Sequence, residues 1–224
     1  MKKSTKSILS LSMASVMALS VGTTPMLAAQ NDTAIQENSV QMISEKEDQQ
    51  TFIVDGELVT FDFFEDDIER KYDVLENGEI TRIVFNKVEN AAYVNGEKVE
   101  EELVQLIQSD VNDGSSITTF AIAGPWADGG TVKGSTKLGI MSASALAAFV
   151  AGVIGTPVAA GLLSAASVVI GMGVPTVWFT DKKKFRMVGA TLEVKHTVSF
   201  YKDSARKKLI KSTTYTTRDT GGPK

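Results

Sequence analysis

The sequence predicts an α+β fold: an N-terminal antiparallel β meander with a helix, a central apolar helical hairpin and a C-terminal β-hairpin. Three observations carry that expectation. Leu138 to Thr180 is a run of 43 residues without a charged side chain. Asp55-Gly56, Asn77-Gly78 and Asn95-Gly96 each follow or separate short apolar-alternating runs, and such pairs make two-residue hairpin turns because both central residues take positive φ. Leu192 to Phe200 alternates with period two: Leu192, Val194, His196, Val198 and Phe200 share one face, and Glu193, Lys195, Thr197 and Ser199 the other.

The N-terminus places Lys2, Lys3 and Lys6 before an apolar stretch from Ile8 to Val21, followed by Leu27-Ala28-Ala29. That order predicts a secretory signal peptide over residues 1–29, cleaved after Ala29, and a secreted protein. An uncleaved membrane anchor is the competing reading. The chain has no cysteine, so an exported product would carry no disulfide, thiol nucleophile or thiolate metal site. The Lys-led leader and the lack of cysteine fit a Gram-positive bacterium.

Residues 30–50 are polar and without a sustained period, and are expected to form a flexible leader. An acidic β-rich domain over 51–116 follows. Its strands are expected at Thr51 to Val54, Glu57 to Phe63, Lys71 to Leu75, Glu79 to Phe85 and Ala92 to Val94. Glu100 to Ser109 reads as a helix, with Leu103, Leu106 and Ile107 at helical spacing and acidic residues in the first turn. Val111 to Ser116 is a turn-rich break, and Ile117 to Ala123 reads as a strand before a Gly-rich loop.

The second half, 117–224, is read as the apolar helical hairpin with a basic β-hairpin tail. Gly155-Thr156-Pro157 interrupts the uncharged run, because proline lacks an amide proton and pushes the preceding residue out of the helical region. Leu138 to Ile154 would be roughly 25 Å long and Val158 to Met172 roughly 22 Å. Both fall short of a hydrocarbon core of roughly 30 Å. Small residues recur along it: Ser144, Ala148 and Gly152 on one row, Ala147, Ala151 and Gly155 on the next, then Gly161 beyond Pro157. Such rows allow close backbone approach, as in helix pairs within lipid. The sequence supports two uses of this hairpin, insertion into a membrane through Ser144, Ala148, Gly152, Gly155, Pro157 and Gly161, or burial as the core of a soluble domain.

Charge separates the two halves. Residues 30–119 hold 6 Lys and Arg against 22 Asp and Glu, whereas residues 120–224 hold 14 against 5. A basic, apolar-centred half is drawn to anionic membrane or cell envelope, and Lys182, Lys183, Lys184, Arg206, Lys207, Lys208 and Lys211 are the expected contacts. The acidic half is a possible intramolecular partner of the basic one.

Catalytic constellations are sparse. His196 is the only histidine and falls on the apolar face of a strand, where a satisfied core imidazole is expected rather than a general base. Asp110, Asn112, Asp113 and Gly114 depart from a calcium loop, since glycine falls at the fifth position and Ala121 stands where glutamate is required. Glu65, Asp66, Asp67 and Glu69 read as a solvated acidic face. Arg206, Lys207, Lys208 and Lys211 near Phe200, Tyr201 and Tyr215 could bind single strands, but export removes nucleic acid as a partner. The sequence therefore predicts no enzyme, no cofactor and no metal.

Taken together, the Lys-led signal, the cysteine-free acidic β-rich first half, the Ala/Gly-rich run Leu138 to Phe179 and the basic tail through Lys207-Lys208-Leu209-Ile210-Lys211 resemble the large secreted bacteriocins of the geobacillin type. The resemblance covers the overall plan and carries no catalytic residues. It implies a secreted, bacteriocin-like antimicrobial protein that acts on membranes. The alternative is an exported, non-catalytic structural or adhesive cell-surface protein with the hairpin buried.

Overall fold

The computed structural model describes residues 39–46, 48–99, 124–139 and 141–219. Seven strands form the first sheet in sequence order: β1 (Val40–Glu45), β2 (Gln49–Val54), β3 (Glu57–Glu65), β4 (Glu69–Glu76), β5 (Glu79–Asn86), β6 (Ala91–Val94) and β7 (Glu97–Lys98). All neighbours are antiparallel. The turns Asp55-Gly56, Asn77-Gly78 and Asn95-Gly96 have positive φ at both positions, with Asp55 at 52° and Gly56 at 89°, as the two-residue hairpin requires.

The second sheet has the order β11-β10-β9-β8, built from β8 (Ala127–Lys137), β9 (Thr176–Val188), β10 (Thr191–Tyr201) and β11 (Leu209–Asp219). Between β8 and β9 come α1 (Ala143–Ile154) and α2 (Ala160–Gly171). α1 packs on β4 and β5, and α2 on β11, β10 and β1, so the helices fill the space between the sheets.

The expected α+β fold with a central apolar helical hairpin is thereby corrected. The described residues are mostly β, in two antiparallel sheets, with only two short helices. The uncharged run is not helical throughout: Leu138 follows β8 directly and Thr176 to Thr180 begin β9. Each helix has 12 residues and is roughly 18 Å long. No helix of the described residues is long and apolar enough to cross a membrane. α1 is buried along almost its whole length, whereas α2 buries one side and leaves the other half-exposed.

Three further expectations change. β1 lies inside the stretch expected to be a flexible leader, and its Val40 packs against the core. The Gly-rich segment before the uncharged run is a strand, β8, whose glycines conceal it from β-propensity. Lys182 to Lys184, expected together as surface contacts, cross the middle of β9, where successive side chains point to opposite sides of the sheet. The expected helix Glu100 to Ser109, the break Val111 to Ser116, the strand Ile117 to Ala123 and the signal peptide lie outside the described residues.

Local chemistry fixes the helix ends. Ser142 caps α1, its side chain accepting from the amide of Ala145 at 3.1 Å. Gly155 ends it at φ 77°, and Pro157 prevents its continuation. One apolar cluster then joins everything: Phe52, Phe61 and Ile83 of the first sheet, Leu146 and Phe149 of α1, Leu162 of α2, and Phe179 and Phe200 of the second sheet are all essentially buried.

Small residues in the helices serve helix-to-strand contact. A Cβ on Gly152 would meet the Tyr72 ring at 3.7 Å, whereas one on Gly161 would lie 2.5 Å from Thr213 Oγ1. Gly161→Ala is therefore expected to destabilise the fold by about 1–3 kcal/mol through overpacking, although alanine favours a helix by about 1 kcal/mol. In a Thr213→Ala background the same change should become neutral or stabilising. Urea unfolding midpoints of the two single variants and the double variant check this, and equal effects in both backgrounds would refute it.

Candidate binding face

Strand parity sorts the residues of the second sheet. Val132, Gly134, Phe179, Asp181, Val198, Phe200, Thr213 and Tyr215 face the helices, and their register partners share that side. The helix side carries a buried polar centre. His196 Nδ1 and Asp181 Oδ2 are 2.8 Å apart, and the two side chains are 3 % and 0 % exposed. Tyr215 stacks on His196 with centroids 5.2 Å apart. Its hydroxyl lies 3.0 Å from Thr156 Oγ1, and Tyr72 OH donates to the Thr156 carbonyl. Burial pushes both tyrosine hydroxyls well above their ordinary pKa. Lys183 Nζ donates to the carbonyl of Ile154 at 2.8 Å, at the negative end of α1. Burial lowers its pKa, and Asp181 acts in the opposite direction.

This centre ties the second sheet to the α1–α2 link. His196 touches Thr217 Oγ1 only weakly, at 3.4 Å, and is held as a core imidazole. Among the described residues no group of three or more His, Asp or Glu is placed to hold a metal.

Each expected membrane-contact position has a packing role or sits in the link. Ser144 Oγ donates to Glu76 Oε1 at 3.0 Å, Ala148 is wholly buried, and Gly152 and Gly161 face Tyr72 and Thr213. Gly155 abuts the Arg70 guanidinium, where a Cβ would lie 2.9 Å from Cζ. Pro157 is exposed in the link between the helices.

The opposite, outward side of the second sheet is basic. Lys133 on β8, Lys182, Lys184 and Arg186 on β9, Lys195 on β10 and Arg218 on β11 lie on it, against Asp128 and Glu193. Glu193 is 4 % exposed and already held: it accepts from Arg186 Nε and Arg218 Nε, each at 2.9 Å. Hydrogen bonds from Arg186, then Arg218, keep its carboxyl below the ordinary glutamate range against the effect of burial. Trp126 covers this end of the face, with Arg186 Cζ 4.4 Å and Lys195 Nζ 4.1 Å from its ring centre. Hydroxyls fill the positions between the lysines. Thr131, Lys182, Thr197 and Thr214 stand in register across four strands, and Thr197 and Thr214 approach to 3.3 Å.

Of the seven expected anionic-surface contacts, the structure puts Lys182 and Lys184 on this face. Lys207 and Lys208 are exposed on the β10–β11 turn, where Asp203 binds their amides, and Lys211 is exposed on the helix side of β11. Lys183 and Arg206 are corrections. β9 parity turns Lys183 inward, and Arg206, at φ 54°, spends its guanidinium on the carbonyls of Phe179 and Gly134. Lys133, Arg186 and Arg218 were missed. Lys195 was legible on the polar side of an alternating strand, but recognising the others as its neighbours needs the register of β8, β9 and β11.

The ion pairs Glu65–Arg70, Glu65–Lys87, Asp73–Arg82, Glu193–Arg186 and Glu193–Arg218 each join residues of the same half. Among the described residues the halves meet through the apolar core and hydrogen bonds such as Ser144 to Glu76. No known protein family matches the chain, and no curated protein or solved structure matches it.

Proposed function

We propose that this chain is an exported, non-catalytic binding protein that attaches to anionic groups of a cell envelope through the outward face of its second sheet. The observation that carries this reading is the set of Lys133, Lys182 and Lys184 on one exposed or half-exposed face, with the nearby Glu193 already neutralised by two arginines. Among the described residues Lys133, Lys182 and Lys184 make no ion pair, although Asp128 stands opposite Lys184 in register, and cations so placed on a sheet attract anions. The helices stabilise the sheets and take no part in contact.

The test is sedimentation of the protein with anionic surfaces, either phosphatidylglycerol vesicles or purified anionic envelope polymer, against neutral phosphatidylcholine vesicles. Binding to at least one anionic surface, weakened by Lys182→Thr with Lys184→Thr and little changed by Lys207→Thr with Lys208→Thr, is the expected result. Equal binding to neutral vesicles would defeat the reading. Dye leakage measured in the same vesicles addresses the membrane-permeabilising action that the bacteriocin resemblance implies, which would require fully buried residues such as Leu146, Ala148 and Leu162 to leave the core.

A further inference from the structure

Resting on that reading, we propose that the ligand of the outward face is a linear polyol phosphodiester, a chain of phosphates joined by hydroxylated carbon units, and not a lipid bilayer. The lysines form a band. Lys184 and Lys195 are cross-strand partners, Lys182 lies two residues along β9 from Lys184, and Lys133 sits diagonal to Lys182 on β8, where it pairs with Thr180. Cross-strand partners stand about 5 Å apart and alternate residues of one strand about 6.7 Å. The four lysine positions thus follow an oblique line over three strands, with the Lys195 ammonium at one end resting over the Trp126 ring, a pattern that suits a chain of regularly spaced anions.

Along the strands the band is flanked by Glu193, at 4 % exposure and held by Arg186 and Arg218, and by Thr180, at 6 % exposure. Between them lie Thr131, Thr197, Thr214 and Thr216, each able to donate to a phosphate oxygen and to accept from a polyol hydroxyl. Lysine ammonium groups bind phosphate as point charges and need no planar, two-pronged geometry.

A bilayer requires something further. Interfacial binding grows with the apolar area buried beneath the headgroups. The exposed large apolar residues Leu58, Phe64, Leu75 and Ile80 belong to the seven-stranded sheet; on the second sheet Met187 and Leu209 stand near strand ends, away from the lysine band. The aromatic side chains of this face, Trp126, Trp178 and Tyr201, are only half-exposed, and Trp126 is engaged by Arg186 and Lys195, so the lysine band itself presents charge and hydroxyls.

The experiment titrates the full chain with four fluorescent probes of matched charge: synthetic poly(glycerol phosphate), polyglutamate, a single-stranded DNA oligonucleotide and phosphatidylglycerol vesicles, at 50 and 200 mM salt. Poly(glycerol phosphate) is expected to bind at least tenfold more tightly than the other three. With three or four phosphates neutralised, its affinity should fall roughly 20- to 50-fold between the two salt concentrations. Lys182→Thr with Lys184→Thr should lower the magnitude of the logarithmic salt slope by about 1.4. Polyglutamate binding as tightly would overturn the phosphodiester; equal or tighter DNA binding would point to nucleic acid; equal or tighter vesicle binding would return the ligand to lipid. Those three results overturn this inference and leave an anion-binding face in place. Binding to none of the four, or a double variant that stays folded by circular dichroism and binds as wild type, overturns the underlying reading. The wild-type ranking needs no variant, so poor folding of the double variant leaves the test intact.

Discussion

Phe179→Ala is expected to destabilise the protein by about 3–5 kcal/mol, the range for removing a buried aromatic ring. Phe179 is wholly buried and makes an edge-to-face pair with Phe149 of α1, with centroids 6.4 Å apart and planes at 89°. Its ring also covers Gly134 so closely that a Cβ there would lie 2.8 Å from Cε1. The ring therefore joins β8, β9 and α1 at one point, and its loss leaves a cavity bordered by two rigid strands that cannot collapse far. Chemical denaturation gives the difference directly. Adding Gly134→Ala to the Phe179→Ala protein should recover part of the loss, whereas Gly134→Ala alone should destabilise. A loss under about 1 kcal/mol for Phe179→Ala would show that β8, β9 and α1 collapse into the space the ring leaves.

Asp181→Ala is expected to cost about 1–3 kcal/mol, the range for leaving a buried polar partner unsatisfied. Three effects act together. His196 Nδ1 loses its partner at 2.8 Å, the half-buried Lys183 loses the nearby negative charge that opposes its desolvation, and a space opens beneath the Tyr215 stack. Among the described residues Asp181 Oδ1 has no hydrogen-bond partner, so the carboxylate is only partly satisfied. Asp181→Asn separates the effects, because an amide oxygen still accepts from the imidazole but carries no charge for Lys183. Equilibrium unfolding of both variants should place Asn well above Ala in stability. If the two cost the same, charge at Lys183 outweighs the His196 bond; if neither costs more than about 1 kcal/mol, the polar centre is not what secures the α1–α2 link.

Turn chemistry was the most legible part of the sequence. Asp55-Gly56, Asn77-Gly78 and Asn95-Gly96 specify their conformation within two residues, and the alternation from Leu192 to Phe200 specifies the faces of β10. What failed was inference from composition. The absence of charge from Leu138 to Thr180 is shared by a lipid-facing helix and by any segment enclosed on all sides, and composition cannot separate the two. The two helices fall inside the expected pieces on either side of Gly155-Thr156-Pro157, but the need for glycine at 161 could not be read, since it is set by Thr213, 52 positions away in the chain. Glycine likewise concealed β8. The binding face was half legible for a related reason: parity within β10 is local, but the alignment of Lys133 and Lys182 beside it depends on pairings that cross the whole helical insertion.

The link between α1 and α2 is held from far upstream: Gln50 Oε1 accepts from the amide of Val158 at 3.0 Å, and Tyr72 OH donates to the Thr156 carbonyl. This sets an order of events for a chain made, or threaded across a membrane, from its N-terminus. The meander can pair locally as soon as β2 to β5 emerge, because its turns need no distant help. Its inner side, with Phe52, Phe61 and Tyr72, then stays wet until the residues beyond Ala143 arrive, and non-local contacts of this kind are slow to close. A chain halted before that point would present a seven-stranded apolar surface to its neighbours and would be prone to aggregate. Completion waits on the last strand as well, since α2 rests on β11.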